Sequence, residues 1–240
     1  MSTPAVPRLS ASLLVLREEP LEILMVRRKS GGTFSSALVF PGGIVEPEDS
    51  ASHWRDHVIG FDAYEPQERA VRIAAMREAY EEAGLLQFAD DVQIDTSASR
   101  EAQPFIEAVR RSGRKLDLES LVHCGHWITP EFMARRFDTH FFLLAARGDQ
   151  GLSSDGQETI ALEWRTPAAV IDSEKDLPAA TRANLEYLAE AASVSAALIA
   201  ARDRPRTTVL PRLETRADGD YLVIDAPGMQ RKERKMPAEK

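Results

Sequence analysis

Apolar positions begin in two short runs, Leu9–Leu16 and Leu21–Val26, divided by Arg17-Glu18-Glu19-Pro20. Runs of that length, broken by charges and a proline, predict a β-hairpin. Beyond the glycine- and serine-bearing stretch from Ser30 to Ser36, Ala37–Phe40 reads as another strand, stopped by Pro41-Gly42-Gly43. Glu46 to Asp62 is polar and without period, which predicts a long loop or insertion. From Glu65 to Ala83 the spacing predicts a helix. Ile73, Met76, Tyr80 and Ala83 recur on one face, and Gly84 suits the C-terminal cap. A second helix is predicted over Glu101–Arg111, and strands over Leu121–Ile128, His140–Ala145 and Thr159–Trp164. Pro167–Val170 opens a short helix, and alanine-rich Ala179–Arg202 reads as one long helix. Thr207–Leu210 and Tyr221–Ile224 read as late strands, and Arg231–Lys240 as a charged, frayed tail.

No internal repeat and no linker divides this pattern. It predicts an α/β chain forming one domain over residues 1–228, with insertions at about 44–64 and 88–118, and a tail over 229–240. With 43% apolar residues in 240, a sizeable core can be buried. Thirty basic against thirty-eight acidic side chains give a net charge of -8. That balance argues against nucleic acid and anionic membrane surfaces as partners. The lone Cys124 excludes an intramolecular disulfide framework and suits a reducing compartment such as the cytoplasm. Leu13–Leu16 is too short for a signal-peptide core or a membrane span.

The chemistry concentrates in Arg77-Glu78-Ala79-Tyr80-Glu81-Glu82-Ala83-Gly84-Leu85. At helical spacing Glu78, Glu81 and Glu82 fall within an arc of roughly 100°, opposite the apolar residues expected to face the core. Three adjacent carboxylates raise one another's pKa unless a cation intervenes. A hard divalent ion such as Mg²⁺ takes oxygen ligands of this kind, usually completed by substrate phosphates. A solvated acidic helix face is the plain alternative. Pro41-Gly42-Gly43 adds paired glycines directly after a strand, where a backbone carbonyl can approach a ligand or a metal.

Val39-Phe40-Pro41-Gly42-Gly43 followed by Arg77-Glu78-Ala79-Tyr80-Glu81-Glu82-Ala83-Gly84-Leu85 resembles the Nudix hydrolase family. That family's box reads Gly-x5-Glu-x7-Arg-Glu-U-x-Glu-Glu-x-Gly-U, where U is apolar. The second half matches in full, with Ala79 as a small U. The first half is interrupted: Gly43 to Arg77 spans 34 positions where the box has 14, so 20 residues are inserted. The first glutamate of the box then falls either at Arg69, counting back from Arg77, or at Asp49, counting forward from Gly43. An interrupted box is similar to the Nudix branch that includes the mammalian peroxisomal coenzyme A diphosphatases. Trp127-Ile128-Thr129-Pro130, Arg136-Phe137-Asp138-Thr139-His140-Phe141-Phe142 and Trp164-Arg165-Thr166-Pro167 are also similar to that branch.

The resemblance implies an α/β/α Nudix sandwich with a mixed sheet, an insertion within the box, and extra C-terminal helix and strands. It also implies hydrolysis, dependent on Mg²⁺ or Mn²⁺, of the pyrophosphate in a nucleoside diphosphate derivative. Coenzyme A or acyl-coenzyme A is favoured, ADP-ribose or NADH is the alternative, and a nucleotide sensor without turnover is the reading from another class. Carried over by position, Glu81 and Glu82 would be metal ligands, Gly42 a carbonyl ligand, and Glu78 a ligand or base. Arg77 would hold the glutamates by ion pairing. A further carboxylate is expected from a loop before a tryptophan-bearing strand: Glu158 is the candidate and Glu163 its competitor. Arg27 and Arg28, at a strand end, can bind phosphate as forked donors beside Gly43, with a solvated strand end as the alternative.

His123-Cys124-Gly125-His126 invites a zinc reading, but no second Cys/His cluster completes four ligands. Strand alternation puts only Cys124 and His126 on one face, so the segment reads as structural. The helix expected over Ala179–Arg202 can serve a homodimer or pack on its own domain; the partner otherwise expected is a small nucleotide.

Overall fold

The computed structural model describes residues 4–18, 20–29, 37–90, 104–148, 152, 159–226 and 230–236. The elements are β1 (Arg8–Arg17), β2 (Glu22–Arg28), β3 (Leu38–Val39), β4 (Gly42–Ile44), β5 (Val58–Ile59), α1 (Pro66–Ala83), α2 (Phe105–Ser112), β6 (Leu116–Asp117), β7 (Val122–Ile128), β8 (Phe137–Ala145), β9 (Thr159–Arg165), α3 (Pro167–Ser173), α4 (Ala179–Ala189), α5 (Val194–Asp203), β10 (Thr208–Val209), β11 (Arg212–Arg216), β12 (Gly219–Ile224) and β13 (Lys232–Lys235). An eight-stranded mixed sheet runs β10-β7-β8-β1-β2-β3, with β4 joined to β1 and β9 to β2. β1 and β8 pair in parallel over nine residues, from Arg8 opposite Phe137 to Leu16 opposite Ala145.

β1 and β2 are buried on both sides of the sheet, and their alternation feeds two cores. Leu13, Val15 and Leu24 face α1, whereas Leu14, Leu16, Ile23 and Met25 face the layer of α3, α4 and α5. Each large side chain so buried contributes about 1.5–3 kcal/mol. The result is helix, sheet and helix in three layers.

α1 opens with Pro66 in its first turn and closes at Gly84, whose φ of 72° is the left-handed conformation of a C-terminal cap. Gly84 N donates to Tyr80 O at 2.8 Å and Leu85 N to Ala79 O at 3.1 Å. Ala74, Ala75, Ala79 and Ala83 are small enough to bring the helix close to β1. The expected division into an apolar and a solvated face does not hold. Arg72, Arg77 and Glu82 are also buried, because a further layer covers the helix.

That layer is built by the segment expected as a long polar loop. Pro47–Ser50, Ser52–Asp56 and Phe61–Ala63 are 3-10 turns, and β5 pairs in parallel with β6. Trp54 is buried and packs 5.4 Å from Phe105 of α2, which in turn lies 5.5 Å from Tyr80 of α1. Phe61 is buried with the Arg69 guanidinium 3.9 Å above its ring. Trp54, Val58 and Phe61 stand four and three residues apart, a helical spacing, yet the segment folds as 3-10 turns and a short strand, so only tertiary packing reveals where they are buried.

Three other expectations change. The long helix is two: Ala179–Ala189 ends, and Ser193 starts α5 by accepting from Ala196 N at 3.1 Å. A serine cap restarts a helix where alanine content alone suggests continuity. The tail is not wholly frayed, since β13 adds to β12 to make a three-stranded sheet with β11. Glu233 of β13 takes a forked pair of bonds from Arg216, both 2.9 Å. Lastly, β7 carries a bulge at Cys124: His123 lies opposite Phe142, but Gly125 lies opposite Phe141. The extra residue flips the alternation. His123 and His126 therefore share the α1 side of the sheet, and Cys124 enters the opposite core, contrary to the expected sharing of Cys124 with His126. Burial pushes the Cys124 thiol up to about 12, so it is inert.

Candidate active site

Pro41-Gly42-Gly43 runs beside β1, with Ser12 opposite Gly42 and Ala11 opposite Gly43. A Cβ on Gly42 would lie 2.5 Å from Ala11 O, and one on Gly43 would lie 2.4 Å from Glu78 Oε1. Both glycines are required by close approach. Gly43 in particular lets the Glu78 carboxylate rest on the strand.

α1 supplies the carboxylates. Arg77 donates from Nε and Nη2 to the two oxygens of Asp49, at 2.9 and 3.0 Å, and from Nη2 to Ile44 O at 2.8 Å. Its Nη1 donates to Glu78 Oε1 and Glu81 Oε2, both at 2.8 Å. These carboxylates hold the Arg77 guanidinium pKa above its ordinary value against the cost of burial. Glu82 is buried, accepting from Gly42 N at 3.0 Å and from Arg28 Nη2 at 2.9 Å. The same Arg28 nitrogen donates to Gly42 O at 2.6 Å. Burial pushes Glu78 up to about 7, the neighbouring Arg77 only partly opposing it. Burial also raises Glu81, and the charges of Glu46 and Asp49 add to the rise.

Asp49 therefore takes the partner position left open between it and Arg69. Its backbone follows from a local reciprocal cap in which Glu46 N donates to Asp49 Oδ2 at 2.8 Å. Arg69 instead donates to Phe61 O and Tyr64 O, at 3.0 and 3.3 Å. The structure thus gathers Arg28, Gly42, Gly43, Arg77, Glu78, Glu81 and Glu82, with Asp49 behind them and the exposed Glu46 near Glu81. Glu46 was not singled out in the sequence, and only its place three residues before Asp49 hinted at it.

Arg27 is not brought to this cluster. Strand alternation sends it to the other face of the sheet, where it pairs with Glu163 at 3.3 Å and Glu174 at 2.8 Å. Glu163 lies opposite Met25 on β9 and so shares Arg27's face, not that of Glu78. It is an ion-pair partner there. Glu158 lies outside the described residues.

The donor set fits a hard divalent cation. It offers oxygen only, from carboxylates and one backbone carbonyl, and Arg28 already places a positive group between Gly42 O and Glu82. Among the described residues no helix is long and apolar enough to cross a membrane.

Known proteins resemble the chain in sequence and in fold. The family model for the NUDT19 Nudix domain matches residues 60–178, a span that contains all of α1. Acyl-coenzyme A diphosphatase NUDT19 of Gallus gallus is 30% identical over 213 residues, covering 64% of this chain and 56% of that protein. Its namesake in Xenopus laevis is 24% identical over 211 residues, covering 64% and 55%. The chain thus spans about half the length of these two relatives. Among solved structures, a NUDIX hydrolase from Alicyclobacillus acidocaldarius superposes with a TM-score of 0.67 at 24% identity, covering 81% of this chain and 96% of that one. That likeness concerns the fold. With the three-layer sandwich and the complete second half of the box, these matches support a Nudix hydrolase that resembles the NUDT19 branch.

Proposed function

We propose that the chain hydrolyses the pyrophosphate of a nucleoside diphosphate derivative, with coenzyme A or an acyl-coenzyme A as the favoured substrate and Mg²⁺ or Mn²⁺ as cofactor. The observation that carries this reading is the cation seat formed by Gly42 O and Glu82 and held in this structure by the Arg28 guanidinium. Glu78, Glu81 and Glu82 with Gly42 O are the residues that would hold the ion. When bound, a divalent ion neutralises the pyrophosphate and lowers the pKa of water. Arg77 orients Glu78 and Glu81 through one nitrogen, and Asp49 keeps Arg77 in place. Glu78, pushed up to about 7, is suited to take the proton of an attacking water near neutral pH. Arg28 can donate to a phosphate oxygen. Arg27, on the other face, has no part in this reading.

The substrate preference rests on the names of the two diphosphatases that the chain resembles. Purified protein with Mg²⁺ or Mn²⁺ should release 4′-phosphopantetheine from coenzyme A, and ADP-ribose, NADH and diadenosine polyphosphates serve as the comparison set. Turnover of one of those without coenzyme A cleavage would move the assignment to another substrate. Tight nucleotide binding without metal-dependent turnover of any would favour a sensor. A cytoplasmic location and self-association are also proposals. Fractionation of the native cell and the mass of the protein in solution test them.

A further inference from the structure

We propose a second metal site, formed by His126 on β7 with Asp138 and His140 on β8, that takes a borderline transition ion of the Zn²⁺ class. It is separate from the carboxylate cluster and does not depend on the proposed hydrolysis. The sheet itself assembles it. His126 lies directly opposite His140, and Asp138 lies two residues before His140 on the same face. The bulge at Cys124 is what turns His126 to that face.

One ligand atom from each of the three side chains lies within 4.8 Å of the other two. The His126 and His140 rings are stacked, 4.1 Å between centroids and 15° between planes. His126 Nε2 is already bonded to Asp138 Oδ1. A tetrahedral ion with bonds of about 2.0–2.1 Å places its ligands about 3.4 Å apart, so closure draws the atoms together by about 1 Å and turns the two rings out of their stack so that their in-plane lone pairs converge. The His126 and Asp138 side chains are 20% and 27% exposed, which leaves them room to adjust and an open side for a fourth, water ligand.

Thr208 on β10 supplies the support that histidine ligands ordinarily have. Its hydroxyl lies 2.8 Å from His126 Nδ1. In the ligating tautomer Nδ1–H donates to Thr208 Oγ1 and leaves the Nε2 lone pair for the ion. Two imidazoles and one carboxylate select Zn²⁺-like ions over Mg²⁺, whereas the oxygen-only cluster on α1 has the reverse preference. Nearby positive charge is contained, since Arg72 and Arg206 both pair with Glu68, at 2.9 and 3.1 Å.

The test uses the metal-stripped full chain carrying Glu82→Gln, which weakens the α1 cluster, titrated with Zn²⁺ and with Co²⁺ as a spectroscopic probe. One equivalent of Zn²⁺ is expected, with a Co²⁺ visible spectrum of low-coordinate nitrogen and oxygen ligation that Zn²⁺ abolishes. Adding His140→Gln should lower Zn²⁺ affinity by at least about 100-fold. Adding Thr208→Val, which leaves all three ligands, should lower it by about 10–100-fold. The Thr208→Val protein decides the matter if His140→Gln does not fold. Absence of the Co²⁺ spectrum, or Zn²⁺ affinity unchanged by these substitutions, would overturn the site.

Discussion

Arg77 and Asp49 form a two-point ion pair, guanidinium Nε and Nη2 each meeting a separate carboxylate oxygen at 2.9 and 3.0 Å. The pair joins the interrupted halves of the box across the insertion. Its forked geometry leaves Nη1 free to turn toward Glu78 and Glu81. Asp49→Ala should cost about 3 kcal/mol in urea denaturation, the lower end for breaking a buried pair, because Ile44 O and the glutamates still hold Arg77. Arg69→Ala should cost about 1 kcal/mol and leave metal binding unchanged. Equal costs for the two would remove Asp49 from its assigned position.

Trp54 tests whether the inserted segment is part of the core. Trp54→Ala empties a buried site against Phe105 and should destabilise the chain by about 3–5 kcal/mol. A cost under about 1 kcal/mol would return the segment to the loop that its sequence suggests.

The limits of the sequence follow from such residues. The α1 glutamates, Gly84 and the β1–β2 hairpin could be read because period, cap and turn chemistry are local. The choice between Asp49 and Arg69 could not, since both are defined by counting, and only the 3-10 turn at Pro47–Ser50 decides the count. Arg27 and Arg28 adjoin on one strand, so alternation sends them to opposite faces, but only the partners Glu163 on β9 and Glu174 just after α3 show which face each takes. The histidines were misplaced because one bulge residue, invisible in composition, inverts strand alternation.

Metal-free stability should depend on pH through Glu78. Its carboxyl is pushed from 4.5 up to about 7 in the folded chain, so the folded state binds the proton more tightly than the unfolded one. The contribution is fully present below pH 4.5 and is lost as pH rises through about 7. With chelator present, the wild-type Tm should therefore fall between pH 5 and pH 8, and Glu78→Gln should reduce that fall by several degrees. Glu81, shifted the same way, accounts for part of the remainder. An identical pH dependence in both proteins would contradict the burial of an ionisable Glu78.

Arg28 competes with the divalent ion for Gly42 O and Glu82. Removing the guanidinium should therefore tighten Mg²⁺ binding, by about 10-fold for Arg28→Gln, the equivalent of one charge-assisted bond of about 1.4 kcal/mol. Calorimetric titration with Mg²⁺ measures this directly. Weaker Mg²⁺ binding in Arg28→Gln would mean that the arginine does not occupy the cation's place.

The central claim is that Glu82 and its neighbours hold a hard divalent ion, and the rise of Tm on adding saturating Mg²⁺ tests it most directly. Mg²⁺ suits this test because its preference for oxygen ligands keeps it from the histidine cluster. At about 100 times its Kd a ligand stabilises the folded state by about 2.7 kcal/mol, which is several degrees for a chain of this size. The wild-type protein should show that rise, and Glu82→Gln, which keeps the shape but removes the charge, should lose most of it. An undiminished Mg²⁺ shift in Glu82→Gln would make the cluster on α1 an acidic helix face and contradict the account.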